Sequence, residues 1–105
     1  MRSLTLKTLR DSLGLAAPSE DLDAPLTALW HAAHGDWARA HQIIQDEAGT
    51  DAAWIHAWLH RQEGDLGNAA YWYRRAGRPP ATGSLDGEWD TIVEALLARN
   101  ADTPA

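Results

Sequence analysis

The amino-acid sequence predicts an all-α domain: two stacked helical hairpins flanked by an N-terminal and a C-terminal helix. Three observations predict it. His34-Gly35-Asp36-Trp37-Ala38-Arg39-Ala40 returns 29 positions later as Glu63-Gly64-Asp65-Leu66-Gly67-Asn68-Ala69, the mark of a repeated helix–corner–helix unit. Apolar residues recur at the helical period along most of the chain, and no segment alternates with period two for long enough to make a strand. Glycines, Gly-Asp pairs and Pro79-Pro80 fall where such helices must stop and restart.

Taken in order, Leu4, Leu6, Leu9 and Leu13 share one face of a first helix over residues 4–13, with Ser3 or Thr5 as cap and Gly14 as stop. Residues 16–21 read as a loop. The second helix starts near Asp23 to Pro25, where proline suits the first turn, and carries Leu26, Leu29, Trp30 and Ala33 inward to Gly35. Asp36 caps a third helix with Trp37, Ala40, Ile43, Ile44 and Glu47 on its period, closed by Gly49. This pair makes hairpin one, about 24–47. Asp51 or Thr50 opens the fourth helix, whose broad apolar face is Trp54, Ile55, Trp58 and Leu59, with His56 and His60 on the flank. Asp65 caps the fifth, with Leu66, Ala69, Ala70, Tyr73 and Ala76 inward, completing hairpin two at about 51–76. Gly77 and Pro79-Pro80 begin a loop over 77–85. Ser84 or Asp86 then caps a last helix, about 86–99, that buries Trp89, Ile92, Val93, Leu96 and Leu97, and residues 100–105 are expected to fray.

Small residues at fixed places explain how the hairpins close. Ala28 and Ala57 on the first helices, and Ala40 and Ala69 on the second, let helix axes approach. Gly35 and Gly64 permit a left-handed corner, and Asp36 and Asp65 accept hydrogen bonds from the free N–H groups of the next helix.

The 105 residues make one domain, 1–105. The absence of cysteine excludes a disulfide framework and thiolate metal sites. No run approaches the roughly 20 apolar residues of a membrane helix, and no secretory signal opens the chain, so a cytoplasmic protein with no membrane partner is expected. A net charge of −6 argues against nucleic acid as a partner, because phosphate neutralisation needs a basic face. The charge is uneven: residues 61–78 hold Arg61, Arg74, Arg75 and Arg78 against Glu63 and Asp65, a basic island on an acidic chain. Six tryptophans and two tyrosines, with no phenylalanine, supply large apolar bodies with one polar tip, suited to a core and to an interface.

The run Asp65-x3-Ala69-x2-Trp72-Tyr73-Arg74-Arg75-Ala76, with Gly64 before it and Ala57 on the preceding helix, resembles the second half of a Sel1-like repeat of the tetratricopeptide superfamily. The first copy matches through Ala28, Gly35 and Ala40, and the two copies together cover roughly residues 24–80. That resemblance implies a scaffold whose first helices line a groove gripping a protein or peptide. Carried onto this chain, the groove positions are Trp54, Trp58 and Arg61, spaced i, i+4, i+7 on one face. The resulting expectation is an adaptor for a protein or peptide partner, or for a second copy of itself as a homodimer.

The alternative is a site for a small anionic molecule, binding or catalytic, built from the polar and aromatic side chains of the second hairpin: Trp58, His60, Arg61, Tyr71 and Arg75, with arginine as the anion clamp. His56 and Glu63 join His60, Arg61 and Tyr71 as the densest candidates for acid–base work, but no phosphate loop, nucleophile elbow or carboxylate pair accompanies them, so no catalytic residue is assigned. The pairs His31/His34 and His56/His60 have helical spacing. Taken pair by pair they lack the intervening glutamate and third ligand of helical zinc sites, and no metal ligand set or cofactor is assigned.

Overall fold

Every helix start but one is set by a residue that can satisfy a free backbone N–H, and the computed structural model, which describes residues 4–102, puts the helices where those residues stand. Thr5 caps α1 (Leu6–Ser12) in a reciprocal box with Thr8; the other expected cap, Ser3, lies outside the described residues. Asp23 caps α2 (Ala24–Ala33), with Pro25 in its first turn. Asp36 caps α3 (Trp37–Gln45), and Asp65 caps α5 (Leu66–Ala76). Ser84 accepts from the Gly87 N–H at the start of α6 (Leu85–Asp102). The exception is α4 (Thr50–Gln62), which follows Gly49 at φ 105 with no side-chain cap. The chain is all-α, with no strand among the described residues.

The sequence echo is also a backbone echo. Asp36 N–H donates to the His31 carbonyl and Asp65 N–H to the His60 carbonyl, both at 2.9 Å. Gly35 and Gly64 sit at φ 89 and 87, a region that costs an L side chain free energy and costs glycine almost none. Across these three-residue corners α2 packs on α3 and α4 on α5, while α3 also meets α4, and α6 lies against α4, α2 and α1. The alanines expected at close contacts, Ala28, Ala40, Ala57 and Ala69, are all buried.

One helix is enclosed on every side. From Ala52 to His60, nine consecutive residues of α4 are buried, as befits a helix touched by α2, α3, α5 and α6. Tryptophans fasten the surrounding elements through single N–H bonds. Trp30 donates to Ser12, Trp37 to the Leu59 carbonyl, Trp58 to the Leu85 carbonyl and Trp89 to the Leu29 carbonyl.

Several side chains depart from the expected faces. Leu4 precedes α1 and is exposed, and Ala32 rather than Ala33 lies inward, one turn beyond Ala28 on the buried side of α2. Leu66, at the first position of α5 where the helix has just emerged from its corner, is 66% exposed. Glu47 lies past the end of α3. His56 and His60 are interior rather than flanking because α3 and α5 cover that side of α4. The last helix runs to Asp102, through residues expected to fray; 103–105 lie outside the described part.

Candidate functional site

The face of α4 that carries Trp54, Trp58 and Arg61 is covered by α6. Trp54 and Trp58 are 4% and 3% exposed. The hub of this contact is Glu88, a buried carboxylate on α6. Its Oε2 accepts from Trp54 Nε1 at 3.2 Å and from the Tyr73 hydroxyl at 2.6 Å, and its Oε1 accepts from Arg61 Nη1 at 2.8 Å. Arg61 also donates to the Gly83 carbonyl. Three donors on one carboxylate stabilise its charge in the interior. Burial, followed by the hydrogen bond to Glu88, raises the Tyr73 phenol well above its ordinary value, so it stays a donor. Arg61 is thereby committed to an internal ion pair, and His60, its neighbour in sequence, points toward α3.

On that opposite face the structure gathers what the sequence keeps apart. His56 and His60 lie one turn apart on α4, and His41 reaches them from α3, so that one ring nitrogen from each falls within 4.8 Å of the other two. His41 Nε2 and His56 Nε2 are 3.1 Å apart with rings nearly perpendicular. His60 Nδ1 is 2.6 Å from Glu63 Oε2; the carboxylate can only accept, so it holds the proton on Nδ1 and leaves Nε2 as the open nitrogen.

Flat aromatic neighbours fix the rings. Trp37 stacks on His41 at 4.8 Å, and Trp72 stacks on His56 at 3.8 Å, both within 10° of parallel. Trp37 is itself anchored to the Leu59 carbonyl at 2.7 Å. His56 and His60 are 7% and 6% exposed, whereas His41 is half-buried. Burial, then the neighbouring His41 and His60, pushes the His56 imidazole down to about 4. Burial also lowers His41, with His60 adding to the effect and Glu63 opposing it. Neutral imidazoles are what a metal ion requires; one of the hydrogen-bonded Nε2 atoms of His41 and His56 carries a proton, which must move to Nδ1 before both can ligate.

Of the other sequence candidates, Tyr71 and Arg75 lie on the outer side of α5. Arg75 donates to the Tyr71 hydroxyl at 3.0 Å and sits over the Trp72 ring at 5.2 Å, which places it one layer from His56. A cleft of about 450 Å³ opens here, with His56, Trp72 and Arg75 in its wall. Hence His60, Arg75 and Tyr71 belong to the His56 side of the molecule, and Trp54, Trp58 and Arg61 to the α6 side.

Helical pair spacing does not reveal His41, because its partners stand on a different helix. The usable signal was Trp37-x3-His41 in one copy beside His56-x3-His60 in the other. Comparison of the chain with protein-family models, with curated proteins and with solved structures gave no match. Among the described residues no helix is long and apolar enough to cross a membrane.

Proposed function

We propose that this domain binds a divalent transition metal ion, zinc being the best fit, through His41, His56 and His60. The observation that carries the reading is the 3.1 Å separation of His41 Nε2 and His56 Nε2. Zinc–nitrogen bonds of about 2.0–2.1 Å in a tetrahedron set ligand nitrogens about 3.3 Å apart, so this pair already stands near the required edge. The third nitrogen lies within 4.8 Å of the other two and must draw closer on binding. Glu63 on His60 Nδ1 supplies the carboxylate–histidine–metal arrangement that orients a ligand. All-nitrogen ligation with no thiolate suits zinc, copper(II), nickel or cobalt over calcium or magnesium.

An ion here would clip α3 to α4, joining the two halves of the echo. The resemblance to tetratricopeptide repeats belongs to the same reading as an account of the scaffold, supported by the matching Gly-Asp corners. A peptide groove on the Trp54/Trp58 face receives no support, since α6 occupies it.

The test is calorimetric titration of the untagged protein with zinc and cobalt(II). One ion per chain is expected, with affinity falling at least tenfold in His41→Ala and His60→Gln. Far-UV circular dichroism checks that both variants fold. Saturation at one hundred times Kd adds about 2.7 kcal/mol of stability. No binding by either ion up to millimolar concentration sinks the proposal.

A further inference from the structure

The sequence Gly77-Arg78-Pro79-Pro80 does more than stop α5. Gly77 turns the chain at φ 73 and donates its N–H to the Arg74 carbonyl, while the Arg78 N–H donates to the Tyr73 carbonyl, both at 3.0 Å. These are the paired bonds of a Schellman corner. Past the corner, Pro79 and Pro80 restrict the backbone, and the Arg78 guanidinium lies 3.4 Å from the centre of the Trp54 ring. That ring is itself held, because its N–H donates to Glu88. Arg78 is thus positioned twice, by its own backbone N–H and by the indole it stacks on.

Arg78 and Trp54 both line a cleft of about 420 Å³ between the 78–84 segment and α6, within the size range of small-molecule sites. A Cβ on Gly83, at its border, would meet nothing within 4 Å. Tyr73 and Glu88 line it too, but their polar groups and that of Trp54 are already committed to one another, and Arg61 balances the Glu88 charge from α4. Arg78 differs. It is the one cation among the lining residues, and its guanidinium makes no hydrogen bond or ion pair among the described residues. Stacking engages the flat face of a guanidinium and leaves its N–H edge for an acceptor. We infer that this cleft binds a small organic monocarboxylate, whose two oxygens pair with the edge of Arg78 while its apolar body lies against Pro79 and Ala81. A single cation beside the Glu88 carboxylate disfavours a doubly charged ligand. The inference is independent of the metal reading, since the cleft is lined by none of the three histidines.

The test is a nuclear magnetic resonance titration of the isotope-labelled, chelator-treated protein at pH 7 with benzoate, acetate and phosphate in turn. Benzoate is expected to shift the Arg78 side-chain Nε–H and the Gly83 and Gly87 amides with saturation, and to bind at least tenfold more tightly than acetate or phosphate. Arg78→Ala removes no side-chain hydrogen bond and should weaken benzoate at least tenfold, with circular dichroism checking that the variant folds. Arg78→Lys keeps the charge without the planar fork and should recover part of the loss. Absence of a saturable shift at these three sites up to tens of millimolar benzoate overturns the inference. Phosphate binding as tightly as benzoate, or an Arg78→Ala variant that binds benzoate like the parent, overturns it equally.

Discussion

Glu88→Gln is the sharpest test of how α6 is held. The carboxylate accepts from Trp54 and Tyr73 on one oxygen and from Arg61 on the other. Glutamine keeps the volume but brings two N–H donors, so one amide orientation sets them against the Arg61 guanidinium and the other against the Trp54 N–H. The substitution also strips Arg61 of its counter-ion. Removing one member of a buried pair costs about 3–5 kcal/mol. The Arg61 side chain is 16% exposed and keeps the Gly83 carbonyl, which puts the loss at the lower end, about 3 kcal/mol. At about 4–8 °C per kcal/mol for a domain of this size, melting should fall by roughly 15 °C. Urea unfolding followed by circular dichroism at pH 7 measures it. The double variant Arg61→Met/Glu88→Gln removes both charges of the pair and keeps an oxygen for Trp54 and Tyr73, so it should cost less than Glu88→Gln alone. A Glu88→Gln protein within about 1 kcal/mol of the parent would refute the claim that this carboxylate ties three helices together.

Other expectations follow from the packing and the histidines. Ala69 is 3% exposed where α5 packs on α4, so Ala69→Leu should destabilise by at least about 2 kcal/mol through overpacking, read as a lower urea midpoint at unchanged slope. Gly77 ends α5 at φ 73 with open space around its Cα; Gly77→Ala should therefore cost about 1 kcal/mol from backbone strain alone, seen as a small drop in melting temperature. In chelator-treated protein, His56 sits at about 4 against an ordinary 6.5, so folding excludes its proton. Its contribution is present in full above 6.5 and is lost as pH falls from 6.5 toward 4, to a total of about 3 kcal/mol. Stability measured from pH 7 to 4 should accordingly fall less in His56→Gln than in the parent.

How much of this was legible in the sequence depends on whether the signal was local. The corners Gly35-Asp36 and Gly64-Asp65, the caps Thr5 and Asp23, and the stop at Gly77 each act within four residues, and each stands where the sequence put it. The alanines Ala28, Ala40, Ala57 and Ala69 were found because repetition exposed them. What the sequence hid is which side of each helix meets a neighbour. His56 and His60 read as flanking because α4 has apolar residues enough for one face, yet four helices surround it. Glu88 carries no signal in the sequence: a buried carboxylate is rare, and nothing local announces the three donors that reach it from α4 and α5. Arg61 and His60, adjacent in the chain, seemed to share a site; a helix turns successive residues about 100° apart, and they serve opposite faces.

The nine interior residues of α4 give the molecule a built-in reporter. Their amide protons have no local route to solvent, because opening the centre of α4 means undocking several neighbours at once. They should exchange only when the entire chain comes apart, so the slowest deuterium uptake between Trp54 and His60 reads out the global folding equilibrium directly. The same enclosure means that a fragment ending before α5, or beginning after α3, would leave one flank of α4 wet, and neither should persist as a folded unit.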